Sequence, residues 1–275
     1  MEIITSRQNP LIKTVVALTE KKKRKETGCF RLDGKKLVEE AVSNGILLSA
    51  ILIREDVTEA FFPLAKQAVG AALLPRDRVV TVSEAVFEKL TEERSPEGII
   101  GVAYMPTSLH ATVSAEALST LVGQGERILL AESLRDPGNL GTVMRSCAAL
   151  GIDRLILTDD CADLYSPKTV RAAMGALFHL PTVTVATEDF SKAVAVLRGT
   201  GRRVYATALH REAKIIGSWV LEAGDCFVIG NEGHGLSEDV IAACDACAVI
   251  PMREGSESLN AAAAAAICVW ETVRA

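Results

Sequence analysis

The sequence contains no uncharged apolar run long enough to cross a bilayer. Its best apolar stretches, Arg127 to Ala131 and Cys226 to Gly230, fall far short of the roughly 20 residues a spanning helix needs. The opening Met1-Glu2-Ile3-Ile4-Thr5-Ser6 lacks the basic-then-apolar order of a secretory leader. The expectation is a cytoplasmic protein with no membrane partner. A metal-ligand pattern is also missing. The seven cysteines are an odd number, and Cys147, Cys226 and Cys268 sit inside apolar runs, where a thiol behaves as a small hydrophobe. Cys244 and Cys247 form a C-x-x-C pair, but no second pair or nearby His-x-His completes a tetrahedral site, so core packing and no metal are expected. The dinucleotide fingerprint G-x-G-x-x-G is absent as well, which removes the main support for a nicotinamide-dependent oxidoreductase.

What the chain does have is length for two domains and an uneven distribution of charge. The formal net charge over 275 residues is −5. Residues 1–40 nevertheless hold ten Lys/Arg against six Asp/Glu, with Lys21-Lys22-Lys23-Arg24-Lys25 as the densest cluster. Such a run is either a solvated helix end or a contact for a phosphate backbone, which needs only local positive charge.

The first half alternates short strand and helix patterns. A helical stretch begins at Asn9-Pro10 and ends in the lysine cluster, followed by a strand at Cys29 to Leu32. A helix through Leu37, Val38, Ala41 and Val42 stops at Asn44-Gly45. Strands are expected at Ile46 to Arg54, Val79 to Val82 and Gly98 to Tyr104, with helices between them. These observations place a small α/β domain over residues 1–105 and a linker over 106–122, which loses periodicity from Met105 to Ser114 and ends in a short helix at Ala115 to Val122. From residue 123 to 275 strands alternate with helices. Strands are expected at Ile128 to Ala131, Ile152 to Leu157, Val183 to Ala186, Arg203 to Ala206, Phe227 to Ile229 and Ala248 to Ile250. That interval implies a mostly parallel sheet covered on both faces.

Three polar, glycine-bearing segments follow strands in this second half. They are Asp136-Pro137-Gly138-Asn139-Leu140-Gly141 with Arg145 beyond, Gly230-Asn231-Glu232-Gly233-His234-Gly235, and Ile250-Pro251-Met252 with Ser258-Leu259-Asn260. Loops leaving the carboxyl ends of parallel strands meet over one crevice, so the three can build a single site. In the first, Asn139 is expected to cap the following helix. In the second, the glycines supply backbone N–H groups and room for a flat ligand, while Glu232 would repel a pyrophosphate. His234 is expected to be merely exposed. In the third, Ser258 and Asn260 stand at the entrance of a helix that begins with six alanines, Ala261 to Ala266.

In this order and at these separations, the segments resemble the SpoU (TrmH-type) family of RNA 2′-O-ribose methyltransferases. Ser166-Pro167-Lys168, Arg171 and Gly175-Ala176-Leu177-Phe178 extend the likeness between the motifs. Phe30 to Ala41 resembles the family's N-terminal RNA-binding domain, related in fold to a small ribosomal protein. The resemblance implies an α/β chain whose C-terminal sheet is a trefoil-knotted, SPOUT-type methyltransferase domain, and a homodimer whose interface borders the site.

It further implies that S-adenosylmethionine is held at Thr207, Gly230, Ile250, Met252 and Leu259. Arg145, Asn139, Glu232, Ser258 and Asn260 occupy the catalytic or substrate-orienting positions. Arg145, as a permanently charged guanidinium, suits a phosphate contact and stabilisation of a developing alkoxide better than a proton acceptor. Arg7, Lys21, Lys22, Lys23, Arg24, Arg31 and Lys35 are the expected RNA contacts. The reaction implied is methyl transfer to a ribose 2′-hydroxyl of structured RNA, 23S ribosomal RNA before tRNA. A non-catalytic RNA-binding relative is the alternative. The chain departs from the pattern at Ala261-Ala262 and Ala172, where relatives carry other residues, without losing a residue in these roles.

Overall fold

The computed structural model describes residues 3–91, 95–210, 212–253 and 258–274. The chain divides into two compact units, one of Met1–Pro106 with Asp163–Phe178, the other of Thr107–Ala162 with His179–Ala275.

The first unit runs β1 (Ile3–Ile4), α1 (Pro10–Ala17), α2 (Lys21–Thr27), β2 (Cys29–Asp33), α3 (Lys35–Ser43), β3 (Leu48–Arg54), α4 (Thr58–Gly70), β4 (Val79–Val82), α5 (Glu84–Leu90) and β5 (Ile99–Tyr104). Asn9 caps α1 by accepting from the Leu11 amide, and Pro10 takes the first helical position, where its missing N–H costs nothing. The expected single N-terminal helix is broken at Leu18-Thr19-Glu20, so the lysines form a helix of their own. That helix ends on Gly28 at φ +64°, a left-handed conformation glycine adopts without steric cost. The strands lie in the order β1-β4-β3-β5-β2. The β1–β4 and β3–β4 pairs are parallel, and β5 runs antiparallel to both β2 and β3. Helices α1 and α5 bring Ile12, Val15, Val86, Phe87 and Leu90 onto the sheet's buried Ala50, Leu52 and Val102.

The second unit opens with β6 (His110–Thr112), α6 (Leu118–Leu121), β7 (Ile128–Ala131), α7 (Pro137–Leu150) and β8 (Arg154–Thr158). The stretch expected as a linker therefore belongs to this unit from Thr107 on, its expected short helix standing at α6 and an unforeseen strand, β6, before it. The chain then returns to the first unit for α8 (Pro167–Ala173), which residues 163–178 carry. What holds this excursion there is specific. Tyr165 packs on Phe30 with ring centroids 4.9 Å apart, and Phe178 lies 6.4 Å from the same ring. Asp163 accepts from the Arg24 guanidinium at 2.6 Å, and Arg171 donates to Asp33 at 3.3 Å.

The second unit resumes with β9 (Thr182–Val185), α9 (Phe190–Gly199), β10 (Val204–Thr207), β11 (Lys214–Ile215), β12 (Cys226–Ile229), α10 (Glu238–Ala243), β13 (Ala246–Val249) and α11 (Ala261–Arg274). Its eight strands take the order β11-β13-β10-β12-β7-β8-β9-β6, and every pairing is parallel. This is the mostly parallel sheet of the sequence reading. Strands β7, β8 and β9 are laid down outward in one direction, while β10, β12 and β13 fall on the other side of β7. The order therefore reverses between β7 and β12, the position at which open α/β sheets bind ligands beyond their carboxyl ends. Ile128, Leu130, Ile156, Val183, Phe190, Val194 and Val228 form the core beneath. Helix α11 packs on α7 and β12, where buried Ala261, Ala262 and Ala265 present only methyl groups.

No described helix is long and apolar enough to cross a membrane.

Candidate active site

At the carboxyl ends of β10, β12 and β13 lies a cleft of about 420 Å³ lined by residues of the second unit alone. Its walls include Thr207, Ile229, Gly230, Glu232, Ile250, Met252, Ser258 and Leu259. Thus the five residues expected to hold a cofactor line one cavity, together with two of the five expected to act on substrate. A cavity of this size, with apolar walls and a few polar groups, is in the range that takes one small ligand. The segment 254–257, part of the third motif, lies outside the described residues.

Gly230 is where the local geometry demands its residue type. A Cβ there would stand 2.4 Å from the carbonyl carbon of Gly235 and 2.5 Å from the Leu236 nitrogen. The loop after β12 folds back that tightly because Asn231 and Gly235 exchange both backbone hydrogen bonds at 3.0 Å. The Asn231 side chain completes the loop. Its Oδ1 accepts from the amides of Gly233 at 2.8 Å and His234 at 3.2 Å, while Nδ2 donates to the Ser133 carbonyl at 2.7 Å. His234 is exposed on this loop, as expected.

The three motifs are joined by side chains. Asn139 Nδ2 donates to Glu232 Oε1 at 2.9 Å, and Asn260 Nδ2 donates to Asn139 Oδ1 at 2.9 Å. Asn139 stands in the first turn of α7, Glu232 in the loop after β12 and Asn260 in the connection after β13. Asn260 is held at its other end, because Oδ1 accepts from the amides of Ala262 at 2.9 Å and Ala263 at 3.3 Å and so caps α11. The expected capping role of Asn139 is corrected here. Helix α7 starts three residues earlier, with Pro137 at its first position. Asp136 is the cap, accepting from the Asn139 amide at 2.9 Å. That shift frees the Asn139 side chain to face Glu232 and Asn260. Arg145 lies further along α7, is exposed, and has no side-chain partner among the described residues.

The turn before α7 is braced from the opposite side. Ser133 stands at φ +52°, an uncommon conformation for a non-glycine residue. Its amide donates to Thr158 Oγ1 at 2.7 Å and its hydroxyl to Asp160 at 2.6 Å. Burial opposes ionisation of Asp160, yet hydrogen bonds from Ser133, Thr158, Arg135 and Thr187 together hold its carboxyl below the usual carboxylate range. Asn231 stands within the second motif and was given no role from sequence, while Ser133 and Asp160 carry no distinctive sequence signal and were passed over.

The seven cysteines are unpaired, and burial pushes the thiols of Cys147, Cys226 and Cys268 up. Cys244 is raised to about 12 by burial and by the neighbouring Cys247. Thiols so resistant to ionisation suit packing. No metal-binding cluster of His, Cys, Asp or Glu occurs among the described residues.

The basic residues expected to meet RNA divide into two groups. Lys21 and Lys22 are exposed on α2, as is neighbouring Lys25, and Lys23 makes only a 3.4 Å contact with Glu26. Arg7 and Lys35 are exposed as well, Arg7 with Nε on the Ala85 carbonyl and Lys35 beside Glu39. Arg24 and Arg31 are corrected. Each is 3% exposed. Arg24 donates to the carbonyls of Leu18 and Thr19 and to Asp163. Arg31 is paired with Asp33 and donates to the Leu90 carbonyl. Guanidiniums committed in this way to internal acceptors are unavailable to a phosphate.

Residues 126–270 match the model of the SpoU rRNA Methylase family, and residues 9–101 match that of the MRM3-like substrate binding domain. The 23S rRNA (guanosine(2553)-2′-O)-methyltransferase RlmP of Bacillus subtilis (strain 168) is 31% identical over 272 residues, 98% of either chain. The 23S rRNA (uridine(2479)-2′-O)-methyltransferase of Streptomyces viridochromogenes is 29% identical, covering 98% of this chain and 91% of its own. Among solved structures, an AdoMet-bound rRNA methyltransferase from Sinorhizobium meliloti superposes with a TM-score of 0.82 at 30% identity, over 99% of this chain and 97% of its own. SpoU methyltransferase AviRb from Streptomyces viridochromogenes in complex with AdoMet gives 0.77 at 27% identity, over 97% and 98%. Matches spanning nearly the whole chain show that this chain belongs to the SpoU rRNA methylase family.

Proposed function

We propose that this protein transfers a methyl group from S-adenosylmethionine to a ribose 2′-hydroxyl of large-subunit ribosomal RNA. The observation that carries the reading is the hydrogen-bonded chain Asn260–Asn139–Glu232, which joins the first turn of α7 to the connections after β12 and β13 at the rim of the glycine-lined cleft. The cleft fits the cofactor in kind. Gly230 lets the loop after β12 fold back on itself along the cleft wall, Ile229, Ile250 and Leu259 offer apolar surface, and Thr207 and the loop backbone supply polar groups. When bound, S-adenosylmethionine supplies a methyl group on a positively charged sulfur.

The chain's own residues supply the rest. Glu232 fixes the rotamer of the Asn139 amide, and Asn139 in turn orients Asn260, so the rim presents a preset pattern of donors and acceptors to a ribose. Ser258 stands on the same wall with a hydroxyl able to donate or accept. Arg145, exposed and without a described partner, is suited to an RNA phosphate and to the negative charge that grows on the attacking oxygen. Lys21, Lys22, Lys23, Lys25, Arg7 and Lys35 supply positive charge for the RNA backbone in the first unit.

A homodimer and a trefoil passage of the C-terminal chain belong to the same reading. Trp270 is 54% exposed on α11, the helix whose other face is packed on α7. The insertion of β12 between β7 and β10, with α11 returning to α7, supports the trefoil reading. Seven unpaired cysteines accord with a reducing, cytoplasmic setting.

The test is methyl transfer from labelled S-adenosylmethionine to unmodified large-subunit ribosomal RNA and, separately, to tRNA, with the product nucleoside mapped. Label at the 2′-oxygen of one ribosomal nucleotide is expected. Label on a base, or on tRNA alone, overturns the assignment.

A further inference from the structure

A buried carboxylate next to the cleft has no part in the roles above. Glu132 follows β7 directly and is 6% exposed. Both of its oxygens are taken by one residue. Oε2 accepts from the Ser237 amide at 2.8 Å, and Oε1 from the Ser237 hydroxyl at 2.6 Å. Its own amide donates to the Ile229 carbonyl at 2.9 Å, the last residue of β12. Among the described residues no basic side chain is paired with it. A carboxylate buried without a cation is costly unless its hydrogen bonds are good, so a structure that keeps one there uses its geometry.

That geometry closes a loop. The segment that lines the cleft and carries Glu232 starts at Gly230 and ends at Ser237, the cap of α10. Ser237 Oγ accepts from the Val240 amide at 3.4 Å while donating to Glu132, so the helix start and the carboxylate share one hydroxyl. The front of the loop is pinned by Asn231 to the carbonyl of Ser133, the residue after Glu132. Two consecutive residues beyond β7 therefore grip the loop at its entry and its exit. Ser133 is itself fixed by Thr158 and Asp160, which makes the grip rigid.

We propose that Glu132 is a positioning residue for the cofactor, its carboxylate clamping Ser237 so that the Gly230–Leu236 loop keeps its binding shape. The proposal rests on the reading that this cleft takes S-adenosylmethionine. Glu132→Ala removes both acceptors. Glu132→Gln keeps an acceptor for the Ser237 amide, and its NH₂ donates to the Ser237 hydroxyl in place of the lost acceptor, so it should rescue.

The experiment measures S-adenosylmethionine affinity by calorimetry, well below each variant's Tm, alongside amide hydrogen exchange of the ligand-free proteins. Glu132→Ala is expected to weaken affinity about tenfold and to speed exchange at residues 233–236 but not in β8 or β9, while Glu132→Gln stays within about threefold of the parent. If Glu132→Ala does not fold, Ser237→Ala, which keeps only the amide bond, should lose about threefold and show the same local exchange. Unchanged affinity and exchange in Glu132→Ala overturn the clamp, as do equal losses in the Ala and Gln variants. Failure of the parent protein itself to bind S-adenosylmethionine overturns the cofactor reading instead, and the exchange data then decide the clamp alone.

Discussion

The basic run of the first unit and the candidate site of the second are built from different groups. In the first, the basic run is split by burial. Lys21, Lys22 and Lys25 stand exposed, whereas Arg24 is turned inward to bind two carbonyls and Asp163. Arg31 and Arg171 converge on the buried Asp33 in the same unit. Here charge serves both as surface and as internal fastening. In the second unit the site is built from close backbone approach at Gly230 and a chain of uncharged amides ending in Glu232, with Arg145 left exposed. A count of basic residues therefore overstates the charge that the first unit exposes, while the candidate site of the second depends on backbone approach and amide groups as well as on Glu232 and Arg145.

The largest expected effect tests the exposed arginine of the second unit. Arg145→Ala should lower methyl transfer by at least about a thousandfold, as loss of a group acting on transition-state charge does. Its S-adenosylmethionine affinity, read by calorimetry, should stay within about twofold of the parent, since Arg145 does not line the cleft. Near-normal turnover would remove Arg145 from its role. Next is Gly230→Ala. Its methyl carbon would overlap the Gly235 backbone, so the loop must open, and cofactor binding should fall below detection in a protein that still folds. Normal affinity would mean that the close approach is not what shapes the cleft.

Arg24→Ala, by contrast, should act on stability and not on RNA. It leaves Asp163 and two carbonyls without their donor, for a loss of about 3 kcal/mol in denaturant unfolding. An RNA-affinity loss with unchanged stability would instead place Arg24 at the surface. The smallest effect concerns pH. Burial depresses His110, in β6, to about 4, so the folded chain excludes a proton that the unfolded chain binds below its ordinary value of 6.5. Folding stability contributed by neutral His110 is therefore complete above about pH 6.5 and lost as pH falls toward 4. His110→Gln should flatten the acid limb of a denaturation-midpoint profile over that window. An unchanged limb would contradict the assignment.

Much of the second unit could be read from the chain because its strands are buried and bounded by glycine, proline or asparagine. Ile128–Ala131 falls on the expected residues, and the other five strands lie within two residues of expectation. The strands that escaped, β1, β6 and β11, are two or three residues long and all lie at sheet edges, too short to show a period. Assignment of residues 163–178 to the first unit was not legible either. It depends on Tyr165, Asp163 and Arg171 meeting Phe30, Arg24 and Asp33, pairs separated by more than a hundred residues. In the site, motif resemblance picked out Asn139, Glu232 and Asn260 without their mutual contacts. Glu132 was missed because a glutamate after an apolar strand reads as the strand's solvated end. Only the position of Ser237 in space gives that carboxylate a use.

The division of labour between the units can be tested in one measurement: single-turnover methyl transfer by a Lys21, Lys22, Lys23 and Lys25→Ala variant, followed from limiting to saturating ribosomal RNA. Phosphate contacts set RNA affinity and its salt dependence, not the chemical step. The account predicts that much more RNA is needed to reach saturation, that the salt dependence is shallower, and that the saturated rate matches the parent. A saturated rate that collapses while RNA affinity holds would contradict it, placing the lysines in the chemistry and not in the grip.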